Sequence, residues 1–351
     1  MVSTKSNRKI KTTSRDAGIL IVASDVGHQN VKIKSGLRED LVGNRSDLRP
    51  ALITHKNRIE DYEDNYFHLK GGNTVWADRY WSNQGTDLDA FTPTSDMGKV
   101  DKLLPLFISA IWDNLVDGDL VYYVGSVHEL SWASEMSRAV QGNHLVEFQG
   151  VTKHFTVEVI RIFVEGAGAV ASHYISMGTP VSGKTTVLDI GSGTTILIPM
   201  DGLQVKANTA PYSIPGGGVR QFISNLCIEN DIKRALNKDQ AINYLDMQKA
   251  ILTDRIVNSR FNSVDITPYL HSQINHWFTR STQIFKVAMD EHLRHADLLL
   301  ATGGGCLIPE VAELLRQEGW IIANEPLWAN VDGLYLIAQK LVMKMLQQKV
   351  A

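Results

Sequence analysis

Cysteine is scarce in this sequence: Cys227 and Cys306 are the only two among 351 residues. Two cysteines cannot build a disulfide framework, so the fold must rest on buried apolar surface, and a reducing, cytoplasmic setting is expected. Long apolar runs are missing too. No stretch reaches the roughly 18 uninterrupted apolar residues of a membrane-crossing helix, and the first residues lack the apolar core of a secretory signal. Neither a membrane span nor export is expected. An excess of one charge is also lacking. The 35 Lys and Arg stand against 38 Asp and Glu, a net charge of −3, which gives no reason to expect general nucleic-acid binding by the body. What is present is length and apolar content, 44% of the chain, enough for two domains with cores of their own.

Charge is uneven at one end. Residues 1–16 carry Lys5, Arg8, Lys9, Lys11 and Arg15 among serines and threonines, with no acid before Asp16. Such polarity predicts a disordered basic leader. A basic arm that touches DNA, an anionic membrane or a neighbouring subunit has the same composition. Direct nucleic-acid contact is expected through this leader or not at all.

Apolar periodicity outlines the elements. Residues 19–35 read as a hairpin, 51–54 and 66–69 as strands flanking an acidic stretch, and 100–116 as a helix with Leu103, Phe107 and Ile111 on one face. Residues 120–125 and 155–164 read as strands, and 166–177 as a packed helix of small residues. The pattern restarts at Val187. Residues 213–222 read as a glycine-rich loop entering a helix, 268–296 as a long helix entered at Thr267 and Pro268, and 298–301 as an inner strand. Residues 331–346 form an amphipathic closing helix, with Leu334, Ile337, Ala338, Leu341 and Met345 on its apolar side. It is expected to pack on the body; lying on a membrane surface is the other use of such a face. Trp76, Tyr80 and Trp81 are assigned to packing or subunit contacts. The order predicts an α/β fold of sheets layered with helices.

Two aspartates stand out. Asp25 ends the apolar run Ile19–Val22 and opens a turn through Gly27, His28, Gln29 and Asn30, after which Val31 and Lys32 resume a strand. Asp189 ends Thr186–Leu188 and opens a turn through Gly191, Ser192, Gly193 and Thr194, after which Thr195–Ile198 resume a strand. Each is a hairpin signal. Turn amides can converge on phosphate oxygens while a carboxylate holds hydrated Mg²⁺. Aspartate also opens ordinary turns; the repetition is what argues for two similar halves closing on one nucleotide.

This pairing resembles the actin-like ATPase superfamily, most of all the bacterial ParM/StbA-like plasmid-segregation actins. Lys32 follows Asp25 at the spacing of that family's phosphate-contacting lysine. Phe163–Ala169 is similar to the segment that carries a water-positioning glutamate, here Glu165. Leu298–Cys306 is similar to the adenosine motif, a strand followed by the turn Gly303, Gly304, Gly305. The resemblance implies a ribonuclease-H-like duplicated, two-domain actin-like fold with an interdomain nucleotide cleft. Its expected parts are a first domain over 17–180, a second over 181–330, and a C-terminal helix over 331–351 packing back on the first.

Further expectations follow from the same resemblance. Asp25 and Asp189 would hold Mg²⁺, Glu165 would orient the attacking water, and Lys32, both turns and the glycine triplet would bind ATP, with GTP left open. The implied activity is an ATPase that polymerises into filaments, a homopolymer working through an adaptor protein bound to DNA, or a bacterial cytoskeletal role. His28 departs from the smaller residues usual at that tip. The runner-up readings are a kinase-like phosphotransferase of the same superfold and a P-loop partition ATPase. The latter arises because Gly178–Thr185 matches the Walker A pattern letter for letter. A P-loop needs a strand before it and a helix after. Here a helix is expected before and a strand after, which favours a plain turn.

Overall fold

The computed structural model describes residues 16–27, 30–40, 42–48, 66–70, 75–77 and 96–350. The basic leader, the expected strand at 51–54, Tyr80, Trp81 and the tip residues His28 and Gln29 lie outside the described residues; Trp76 lies within a strand.

The strands form two large sheets. The first contains β1 (Ile19–Val26), β2 (Val31–Leu37), β3 (Asn44–Leu48), β4 (Tyr66–Leu69), β5 (Val75–Ala77), β6 (Leu120–Val127), β7 (Gly142–Phe148) and β8 (Val151–Val164). Their order is β3-β2-β1-β6-β8-β7-β4-β5. The second contains β9 (Lys184–Ile190), β10 (Thr194–Asp201), β11 (Gln204–Val205), β12 (Tyr212–Pro215), β15 (Leu298–Thr302) and β16 (Ile321–Ile322). Its order is β11-β10-β9-β15-β16, with β12 also on β10. A small hairpin, β13 (Ile256–Asn258) and β14 (Ser263–Asp265), stands apart. Each large sheet has an antiparallel hairpin (β1–β2, β9–β10) joined in parallel to later strands (β6 and β8, β15 and β16). The motif is therefore duplicated.

Nine helices are found among the described residues: α1 (Asp96–Ile111), α2 (Ala133–Val140), α3 (Ala167–Ser176), α4 (Arg220–Ile228), α5 (Asn230–Ala235), α6 (Tyr244–Leu252), α7 (Thr267–Arg294), α8 (Pro309–Gln317) and α9 (Ala329–Val350). They sort by the two faces of each central strand. On β1, Leu20 and Val22 face α1 and α2, whereas Ile21 and Ala23 join a core with α3 and α9. On the second sheet, Val187, Ile196 and Ile198 face that same middle core, while Leu188 and Leu197 face the helices from α4 to α8. Strands buried on both faces read as continuous apolar runs, which is why both hairpins stood out in the sequence.

Several expectations need correction. The helix expected at 100–116 starts four residues earlier and ends at Ile111. Residues 213–215, assigned to a loop, extend the second sheet through Ile196↔Ser213 and Thr195↔Ile214 pairing. The Walker-like stretch lies between α3 and β9, with its Lys184 already in the strand, so no helix N-terminus follows it to wrap a phosphate. The P-loop reading fails on that order. The closing helix, α9, buries Val331, Leu334, Ala338 and Val342 in the middle core and packs on α3, β1, β2 and β6, which leaves that face unavailable to a membrane surface. No helix among the described residues is long and apolar enough to cross a membrane.

The middle layer is tightest where α3 crosses α9. A Cβ added at Gly333 would lie 1.7 Å from the Gly168 carbonyl oxygen, and one at Gly168 would lie 1.9 Å from that of Asn330. Asn330 locks the crossing: its Oδ1 accepts from the Gly168 amide at 3.1 Å, and its Nδ2 donates to Ser126 Oγ on β6 at 3.1 Å. Gly333→Ala is expected to lower unfolding free energy by about 3 kcal/mol through overpacking. Thermal and urea melts check this; a change below about 1 kcal/mol would contradict so close an approach.

Candidate functional site

The two hairpins turn in the same way. Two residues after Asp25, the Gly27 amide donates to the Asn30 carbonyl at 3.0 Å; two residues after Asp189, the Gly191 amide donates to the Thr194 carbonyl at 2.9 Å. Both aspartates sit at the same place in their sheets. Asp25 pairs across β1 with Lys32 on one side and Ser126 on the other, and Asp189 pairs with Ile196 and Thr302. Backbone position is repeated, but chemistry is not: the lysine of the first hairpin is matched by an isoleucine in the second.

Lys32 is the focus of the first hairpin. Its Nζ lies 2.5 Å from Asp25 Oδ2, and both side chains are mostly buried. Burial alone would lower the pKa of its ammonium, but the Asp25, Asp189 and Asp47 carboxylates outweigh it and move it up. Asp47 stands beside Lys32 in register on β3, and its Oδ2 accepts from Asn30 Nδ2 at 2.9 Å. Ser126 Oγ donates to Asp25 Oδ1 at 3.5 Å. The second tip is braced by the loop entering α4: the Val219 and Arg220 amides donate to Gly191 and Ser192 carbonyls at 3.1 and 2.9 Å. Thr195 is drawn into this brace, since its Oγ1 donates to the Gly217 carbonyl at 2.9 Å.

Gly303 lies against Asp189. Its φ is +91°, and an added Cβ would meet Asp189 Oδ1 at 2.4 Å. The Gly303 amide and Thr302 Oγ1 both donate to the Pro326 carbonyl at 2.9 Å. The neighbouring Glu325 receives Arg45 of β3, which also reaches Asp332 on α9, where Lys34 of β2 arrives at 2.9 Å. One short segment therefore connects the glycine turn of the second sheet to the outer strands of the first.

Glu165 directly follows β8 and is 7% exposed. Its amide donates to the Val127 carbonyl at 2.8 Å, and its Oε2 lies 3.9 Å from His128 Nδ1. It borders two spaces. One is a small, mostly apolar pocket lined by His128, Trp132 and Met136. The other is a larger cleft of about 280 Å³ lined by both hairpins.

That cleft collects the residues singled out in the sequence. Asp25, Gly27, Asn30, Lys32, Glu165, Asp189, Gly191, Ser192, Gly193, Thr194, Gly303, Gly304 and Gly305 all line it. Sequence reading missed Asp47, which sits in an unpatterned strand, and the apolar wall of Ile223, Ile251, Leu307 and Ile308, interrupted by Gln248. Ser192 Oγ and Asn30 Oδ1, on two residues that line the cleft, are buried and have no hydrogen-bond partner among the described residues. Among the described residues no three His, Cys, Asp or Glu converge as a metal cage. Asp25 and Asp189, which line the one cleft, are oxygen donors of the kind that hold Mg²⁺ while it keeps several waters.

No protein-family profile and no curated protein matches the sequence. Solved structures match its fold. The archaeal actin homologue Ta0583 superposes with a TM-score of 0.74 at 16% identity, covering 92% of this chain and 99% of that one. ParM of Bacillus thuringiensis, solved with ATP, gives 0.67 at 19% identity over 93% and 100%. The apo pSK41 ParM protein gives 0.62 at 17% identity over 93% and 99%. The chain has the actin-like fold of these proteins.

Gly303→Ala forces a methyl group and a disfavoured φ against Asp189, and is expected to cost about 2–3 kcal/mol of stability. Gly304→Ala meets only Leu327 Cδ1 at 3.5 Å, an ordinary contact, and is expected to cost less than Gly303→Ala. Urea unfolding of both variants checks the contrast; equal losses would contradict this packing of the glycine turn.

Proposed function

We propose that this chain is an actin-like ATPase that assembles into head-to-tail filaments with Mg-ATP and disassembles after hydrolysis. The observation that carries the reading is the pair of matching turns, each two residues past an aspartate, lining one cleft that also holds Glu165 and Gly303. The fold shared with proteins solved with ATP or ADP supports it. We assign residues 17–180 and 181–330 to two domains about the cleft, and 331–351 to a helix returning to the first. Cytoplasmic segregation of a plasmid or other DNA through an adaptor protein is the task we assign, with a bacterial cytoskeletal role as its nearest variant.

In this reading the turn amides around Gly27, His28, Gln29 and Asn30, and around Gly191, Ser192, Gly193 and Thr194, cradle the phosphates. Asp25 and Asp189 would hold Mg²⁺ through water, and the ion would supply positive charge to offset the phosphate oxygens. Lys32 adds a buried positive charge beside the same oxygens. Gly303, Gly304 and Gly305 let the backbone approach the nucleoside. Glu165 accepts a hydrogen bond from water and aims its oxygen in line with the γ-phosphorus, since phosphoryl transfer needs position and charge stabilisation more than covalent help. Head-to-tail contacts that do not close into a ring propagate as helical filaments.

Glu165→Ala is the test. Nucleotide is expected to bind as before while turnover falls about a hundredfold, and filaments pelleted with Mg-ATP are expected to persist as they do with a non-hydrolysable analogue. Unchanged turnover would remove Glu165 from the chemistry. Failure of the wild-type chain to pellet or scatter light in any nucleotide state would overturn the polymer reading.

A further inference from the structure

Charge inside the cleft is one-sided. Among its described lining residues, Asp25, Asp47, Glu165 and Asp189 bring carboxyl groups, and Lys32 brings the single ammonium. Three of these carboxyls fit the reading above. Asp47 does not, because the duplicated architecture has no counterpart for it. In the first sheet a row runs Asp25, Lys32, Asp47 across β1, β2 and β3. The matching row of the second sheet runs Asp189, Ile196, Ser213 across β9, β10 and β12. A carboxylate at the third place is a property of the first hairpin alone.

Asp47 is well held there. Its Oδ2 accepts from Asn30 Nδ2 at 2.9 Å, so the carboxyl is fixed beside the first turn. It acts on the same ammonium as Asp25 and Asp189. Lys32 is ion-paired with Asp25 at 2.5 Å before any anion arrives, with Asp47 beside it in register on β3, so its charge is already offset. A nucleotide entering without a metal brings the full negative charge of its phosphates into a site where carboxylates outnumber cations. A nucleotide entering as a divalent-cation complex brings two fewer negative charges, and in a partly buried cleft that difference is weakly screened.

We propose that Asp47 makes the cleft selective for metal-complexed over metal-free nucleotide. This rests on the nucleotide reading given above and assigns a role within it. Asp25 and Asp189 face the metal, so their loss weakens binding of the complex. Asp47 stands behind Lys32, one strand farther out, and acts chiefly by repelling uncompensated phosphate charge. Its removal therefore has the opposite sign: metal-free nucleotide binds more tightly, and the complex binds much as before.

The experiment is calorimetric titration of a non-hydrolysable ATP analogue into wild type and D47N, once with Mg²⁺ and once with EDTA, below the concentration at which light scattering reports assembly. The carboxamide oxygen introduced by D47N can still accept from Asn30, so the variant keeps the local hydrogen bond, and D47S serves where circular dichroism shows D47N unfolded. The ratio of metal-free to Mg²⁺-loaded Kd is expected to fall about fivefold in either variant, with most of the change in the metal-free arm. D47E, which keeps the charge, is expected to keep the wild-type ratio. An unchanged ratio in D47N or D47S, or an equal fall in D47E, overturns the assignment while leaving the proposed function standing. Absence of any binding to the wild-type chain overturns both.

Discussion

The contact on which the rest of the molecule depends is the crossing of α3 and α9 at Gly168 and Gly333. These helices fill the layer between the two sheets, and at the crossing their backbones touch with no side chain between them. Any Cβ there would spread the layer and, with it, the sheets on either side. Both hairpins that line the cleft are the first strands of those sheets, so the width of the cleft follows from the thickness of the middle layer. Asn330 extends the constraint toward the site, because the same side chain that accepts from Gly168 donates to Ser126, which in turn donates to Asp25. The polar network is short and buried, and each link fixes the next.

Duplication explains the cleft, and departures from it explain the chemistry. The two sheets repeat a four-strand order (β2-β1-β6-β8 and β10-β9-β15-β16), the position of the aspartate and the hydrogen bond that closes each turn. They differ at the neighbours of the aspartates. Lys32 and Asp47 make the first hairpin ionic, whereas Ile196 and Ser213 leave the second hairpin to be shaped by packing, braced by the Gly218–Arg220 loop and pressed by Gly303. The segment around Pro326 links the two, hydrogen-bonded to the glycine turn on one side and, through Glu325, ion-paired to Arg45 on the other. A displacement of the glycine turn would therefore be felt at β3, next to Asp47.

The parts that were readable from sequence are those whose pattern is local. β1 and β15 are central strands buried on both faces, so the apolar runs Ile19–Ala23 and Leu298–Ala301 were unbroken, whereas β9 showed only Val187 and Leu188 before its aspartate; α7 announced itself through Thr267 and Pro268. The turns were readable because an aspartate and a glycine recur at one spacing. What escaped detection lacked such signals. β3, with the sequence Asn-Arg-Ser-Asp-Leu, is polar and borders the sheet, so neither the strand nor the place of Asp47 was visible. The short strand β12 was hidden by the glycines that follow it. The apolar wall of the cleft is assembled from α4, α6 and the turn after β15, elements distant in sequence whose inward residues look like ordinary core positions. Gln248 is one polar residue on an amphipathic helix and carries no mark of its location.

The central claim is that two hairpins and a glycine turn from two sheets act on one ligand. Hydrogen exchange of the amides, with and without Mg-ATP, addresses it directly. Residues 25–32, 189–195 and 303–307 are expected to gain protection together and over the same range of nucleotide concentration. Protection confined to one hairpin, or appearing at separate concentrations for the two, would contradict a single nucleotide held between them.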